Sequence, residues 1–132
     1  MAFNVLVVDD SRIMRDMVAR TVTMSDLGVG NVETAGDGRQ ALEMMRASWF
    51  DLVLLDINMP VMTGEQFLVG LRADVSLRDT LVVVVSTEGS QPRIARLRDL
   101  GAGFVHKPFR PEELVAAVRE LLERPRAEGA AP

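Results

Sequence analysis

Three carboxylates stand directly after apolar runs: Asp9 and Asp10 follow Leu6-Val7-Val8, and Asp56 follows Val53-Leu54-Leu55. Two more runs end in other reactive groups. Val82-Val83-Val84-Val85 leads to the Ser86 hydroxyl, and Gly103-Phe104-Val105-His106 leads to the Lys107 ammonium. If these runs are parallel strands of one sheet, all five groups meet on a single rim. Crowded, partly desolvated acids repel and raise one another's pKa values, so such a cluster is best tolerated around a cation. Its donors are oxygens alone, which favours a hard ion, Mg²⁺ before any soft metal.

Taken singly, each residue has an ordinary explanation. Asp9-Asp10-Ser11 suits a helix start, where acids complement the helix dipole. Asp56 could be a turn residue, Ser86 a local cap and Lys107 a solvated loop lysine. The conjunction changes the reading, because chance would scatter these groups over both sheet ends and the loops.

The elements that would position them follow from periodicity. Strands are expected at Asn4–Val8, Val32–Ala35, Asp51–Leu55, Leu81–Val85 and Gly103–His106. Most are near-continuous apolar runs, as in parallel strands covered on both faces. Between them the spacing turns helical. Ser11 caps a helix bearing Ile13, Met14, Met17, Val18 and Val22 on one side, and Pro92 and Pro111 open two later helices. Gly101 falls where a left-handed helix end belongs. The stretch Thr23–Gly30, with its Gly28-Val29-Gly30, reads as a loop, since it follows a helix rather than a strand. Strict alternation predicts an α/β fold, a five-stranded parallel sheet, doubly wound with helices on both faces; five units are too few for a closed eightfold barrel. In such sheets the functional crevice lies beyond the carboxyl ends of the strands.

Composition bounds the function. The chain has 132 residues, 48% hydrophobic and 26% charged, which supports one core and hence one domain. Residues 1–124 form that domain, and 125–132, rich in Pro, Ala and Gly, read as a flexible C-terminal tail. There is no cysteine, which excludes disulfides and thiolate metal sites. The net charge of −4, without a basic stripe, argues against nucleic acid. No apolar run approaches the roughly 20 residues of a membrane helix. No secretion signal opens the chain, so a cytoplasmic monomer with no membrane association is expected.

The ordered set Val7-Val8-Asp9-Asp10-Ser11, Leu55-Asp56-Ile57-Asn58-Met59-Pro60, Gly64, Ser86 and Lys107-Pro108-Phe109 resembles the receiver domain of bacterial response regulators, over about residues 3 to 123. Within that family it is most similar to the stand-alone chemotaxis (CheY-like) type. The resemblance implies a flavodoxin-like receiver fold that accepts a phosphoryl group from a histidine kinase. By position, it implies Asp56 as phosphoacceptor, and Asp10, Asp56 and the backbone carbonyl of Asn58 as Mg²⁺ ligands. Asp9 acts on that ion through water. Ser86 matches the switch hydroxyl, Lys107 the lysine that pairs with the phosphoryl group, and Lys107–Pro108 a cis peptide. Phe104 matches an aromatic that moves inward on switching. Output would run to a downstream protein through the face of the fourth helix, fifth strand and fifth helix, where Ile94 and His106 lie. The spacing after Gly101 is one residue short of the family pattern. The strand-end position favours Ser86 over Thr87 as the switch.

Other readings compete. Mg²⁺-dependent phosphatases of the haloacid dehalogenase type also use a strand-end aspartate, but their second aspartate, two residues on, does acid–base work; here that position is Asn58. A flavin binder of the same topology would need a phosphate loop where Asp9-Asp10 would repel it. The single histidine, His106, reads as structural or surface. A phosphorelay intermediate, or the receiver piece of a larger regulator, keeps the fold and changes the role.

Overall fold

A computed structural model describes residues 3–124, so the expected tail lies outside the described residues. The elements alternate strictly: β1 (Phe3–Val8), α1 (Arg12–Thr23), β2 (Val29–Ala35), α2 (Gly38–Ala47), β3 (Leu52–Leu55), α3 (Gly64–Ala73), β4 (Leu81–Ser86), α4 (Gln91–Asp99), β5 (Gly103–His106) and α5 (Pro111–Glu123). All five strands are parallel and lie in the order β2-β1-β3-β4-β5. The expected doubly wound architecture is what the chain adopts.

Strand alternation divides the core in two. Leu6, Val8, Val53, Leu55, Val82 and Val84 pack against Ala41, Met45, Phe67, Leu68, Leu71 and Leu97 of α2, α3 and α4. Their neighbours Val5, Val7, Leu52, Leu54, Val83, Val85 and Val105 face Val18, Val22, Leu114, Val118 and Leu121 of α1 and α5. The central strands are therefore buried on both sides, which is why they read as unbroken apolar runs.

Two local expectations need correction. Val29 and Gly30 belong to β2, which pairs with β1 from Phe3 onward, so only Gly28 of that trio stays in the turn, at φ 80°. Gly30-Asn31 has low intrinsic strand propensity, which β2 tolerates because it lies at the edge of the sheet and is held by its pairing with β1. The third strand begins at Leu52 rather than Asp51, leaving Trp49 three residues before it and largely exposed. The Asp51 side chain instead accepts from the backbone N–H of Asn4 at 2.8 Å and ties the strand's start to β1. Gly101 does terminate α4 in the left-handed region, at φ 84°.

Candidate functional site

Asp9 and Asp10 leave the carboxyl end of β1, and Asp56 leaves the adjacent β3. Between these strands the winding direction of the sheet reverses, and the two chain ends splay to leave a crevice. One carboxylate oxygen from each of the three acids lies within 4.8 Å of the others. Asp9 and Asp56 are buried, while Asp10 is exposed. Local bonds set Asp9: its carboxylate accepts the Ser11 N–H at 2.9 Å, and Arg15 donates to its backbone carbonyl at 2.8 Å. Ser11 in turn caps α1 by accepting the Met14 N–H.

The cation comes from the opposite side. Lys107 directly follows β5 and is joined to Pro108 by a cis peptide, and its backbone N–H donates to the Ser86 carbonyl at 2.8 Å. Its Nζ lies 3.0 Å from Asp9 Oδ2 and 3.6 Å from Asp56 Oδ1. The structure thus brings Asp9, Asp10, Asp56 and Lys107 into one cluster, as the sequence led us to expect. Ser86 is fully buried at the end of β4, whereas Thr87 is exposed; the Ser86 hydroxyl accepts the Glu88 N–H at 3.2 Å. Asn58 is exposed in the β3–α3 loop, two residues beyond Asp56.

Phe104, Ile94 and His106 lie away from the acids. Phe104 pairs with Val84, and its half-buried ring packs on the core under α3 and α4. His106, next to Ser86 in the ladder, is exposed, and Ile94 is half-buried on α4. Sequence reasoning overlooked the role of Thr63. Its hydroxyl accepts the Gln66 N–H and the Gln66 side chain accepts the Thr63 N–H, a capping box that fixes where α3 starts. The Thr-x-x-Gln spacing was the available signal.

Burial pushes the Asp56 carboxyl above the usual range; Lys107 opposes this, Asp9 adds to it, the Asn58 N–H opposes it and Asp10 adds to it. A carboxyl raised in the folded state stabilises most below its unfolded value, near 3.9, and loses that stability as pH rises through the folded value. Without divalent ions, Asp56→Asn will therefore unfold at higher urea than the parent at pH 7. The gap will close toward pH 4. A parent as stable as the variant at both values would mean that Asp56 is not electrostatically strained.

A sequence profile of the response regulator receiver domain matches residues 5–119. The Pseudomonas aeruginosa chemotaxis protein CheY is 36% identical over 121 residues, spanning 91% of this chain and 96% of the relative. The solved structure of Vibrio cholerae CheY4 aligns with TM-score 0.82 and 38% identity, over 92% of this chain and 99% of that one. A CheX–CheY complex with BeF₃ and Mg²⁺ from Borrelia burgdorferi aligns with TM-score 0.83 and 27% identity, over 92% of this chain and 90% of that one. The chain belongs to the response regulator receiver family, whose members are signalling regulators of two-component systems rather than conventional enzymes. Receiver domains bind Mg²⁺ through acidic residues, and the oxygen-only cluster of Asp9, Asp10 and Asp56 fits such an ion. Among the described residues, no helix is long and apolar enough to cross a membrane.

Proposed function

We propose that this protein is a phosphorylation-operated switch of the chemotaxis type, acting in the cytoplasm, and that the side chain of Asp56 receives the phosphoryl group from a histidine kinase. One observation carries the reading: a buried carboxylate at the sheet's crevice is flanked by two further acids and by a single ammonium in reach of both buried acids. An Asp56 oxygen attacks phosphorus in line, the P–N bond to the donor imidazole breaks, and the imidazole leaves. Asp10, Asp56 and the Asn58 carbonyl would hold Mg²⁺, with Asp9 behind it, and the ion would supply charge neutralisation between two anionic reactants. Lys107 stands where it can pair with the transferred group, and Ser86 can turn its hydroxyl toward it. The change would then reach a partner protein across α4, β5 and α5, through Phe104, Ile94 and His106. The names of the CheY relatives support chemotaxis as the setting.

A small acyl phosphate replaces the kinase in the test. With acetyl phosphate and Mg²⁺, mass spectrometry will find one added phosphoryl group on the parent. The same group will be missing from Asp56→Asn and from the parent in chelator. Undiminished labelling of the asparagine variant would end the assignment.

A further inference from the structure

The helix α4 is tied to the rest of the domain by different means at its two ends. At its carboxyl end, Arg72 of α3 donates from Nε to the Leu100 carbonyl at 2.7 Å, and from Nη1 to the carbonyls of Thr80, at 2.7 Å, and Arg78, at 2.9 Å. One guanidinium therefore binds α3, the loop before β4 and the end of α4. In between, Leu97 is the one buried side chain of α4. At the amino end, the capping residue Ser90 makes no side-chain cap bond. Glu88 does that work from outside the helix: its Oε2 accepts the Ser90 N–H at 2.9 Å and its Oε1 pairs with Arg93 Nη1 at 2.8 Å. The N–H of the same Glu88 is the group that the buried Ser86 hydroxyl accepts. A continuous line of contacts thus runs from the rim of the acidic cluster to the first turn of α4, and it passes through one residue.

We propose that Glu88 is a positioning residue that latches the amino end of α4 to the Ser86 hydroxyl, with the Arg72 clamp as the pivot at the other end. The inference rests on the reading that Ser86 turns toward a phosphoryl group on Asp56. When the hydroxyl turns, the Glu88 N–H loses its acceptor in a half-buried loop. A polar group left unpaired there costs more than the bond was worth, so the loop shifts to satisfy it. Its carboxylate then no longer holds Ser90 and Arg93 together, and the first turn of α4 is freed. Coupling of this kind is reciprocal, so weakening the latch favours the phosphorylated state.

Backbone hydrogen exchange on the full chain reads the latch directly, through the Ile94 N–H that donates to the Ser90 carbonyl. In the unphosphorylated protein, Glu88→Ala will speed exchange at Ile94 about fivefold, the equivalent of one hydrogen bond. The Gly101 N–H at the clamped end will keep the parent's rate. Ser86→Ala will speed Ile94 to a similar degree, and the double variant will be no faster than either, since both break one line of contacts. Phosphorylating the parent with acetyl phosphate will give the same local acceleration, and labelled Glu88→Ala will show no further change. The inference is overturned if Ile94 exchanges at the parent's rate in Glu88→Ala, if the two single effects add, or if a labelled parent leaves Ile94 unchanged. A parent that takes no phosphoryl group at all overturns the underlying reading, and the inference with it.

Discussion

Gly64→Ala will lose about 3 kcal/mol of stability or more, as overpacking against an unyielding neighbour does. Gly64 is the first residue of α3, and its N–H donates to the Ile57 carbonyl at 2.8 Å. A methyl group on it would stand 2.6 Å from Ile57 Cα and 3.0 Å from the Asp56 carbonyl carbon, with the Asp56 carbonyl oxygen nearer still. All three are backbone atoms, so no side chain can turn aside to make room. Relief requires either that α3 withdraw, exposing Phe67 and Leu68, or that the backbone of Asp56 move. Urea unfolding measures the first and acetyl phosphate labelling the second. A midpoint within about 1 kcal/mol of the parent's, with normal labelling, would show that α3 can retreat at little cost.

Lys107→Met will slow labelling by acetyl phosphate about a hundredfold, the usual effect of removing one preorganised positive group from a developing anion. Methionine keeps the length and the apolar stem of the side chain and removes the charge, and the backbone bond from residue 107 to the Ser86 carbonyl is untouched. The resting protein will also become less stable at pH 7, because Asp9 and Asp56 then face each other without the ammonium 3.0 Å from one and 3.6 Å from the other. The two charge variants thus move stability in opposite directions. Combining Lys107→Met with Asp56→Asn will recover most of the loss, since only one buried carboxylate remains. If Lys107→Met labels at the parent's rate, the lysine serves the resting fold and not the transfer.

The fold was legible wherever a segment is buried on both faces. Val5–Val8, Leu52–Leu55 and Val82–Val85 have no polar interruption, and burial alone explains their composition. β2 was read short because it is half-covered, and Val29-Gly30-Asn31 shows neither alternation nor a continuous run. Within the site, Asp9, Asp10, Asp56 and Lys107 were legible from position, since Asp9, Asp56 and Lys107 directly follow strands and Asp10 comes one residue later, and topology then dictates that they meet. The contacts of Glu88 and Arg72 were not. Glu88 looks like any loop acid, and its place depends on how the loop folds back from Ser86. Arg72 finds Leu100 across 28 residues of sequence, and nothing in the local pattern of α3 sets it apart from a solvated arginine.

The strand order has a consequence for the protein at high concentration. A parallel sheet that does not close presents two outer strands, here β2 and β5, whose unpaired backbone groups can template another chain. The β5 edge is only four residues long and ends in the exposed His106. The β2 edge is longer, but it carries Gly30, Asn31 and Glu33, and the Asn31 amide donates to the Glu33 carboxylate at 3.0 Å. A charge held in a polar pair along that border makes stacking against a second copy unfavourable. Asn31, one of the residues that hid the start of this strand in the sequence, is therefore also the one that holds the guarding charge in place along its edge.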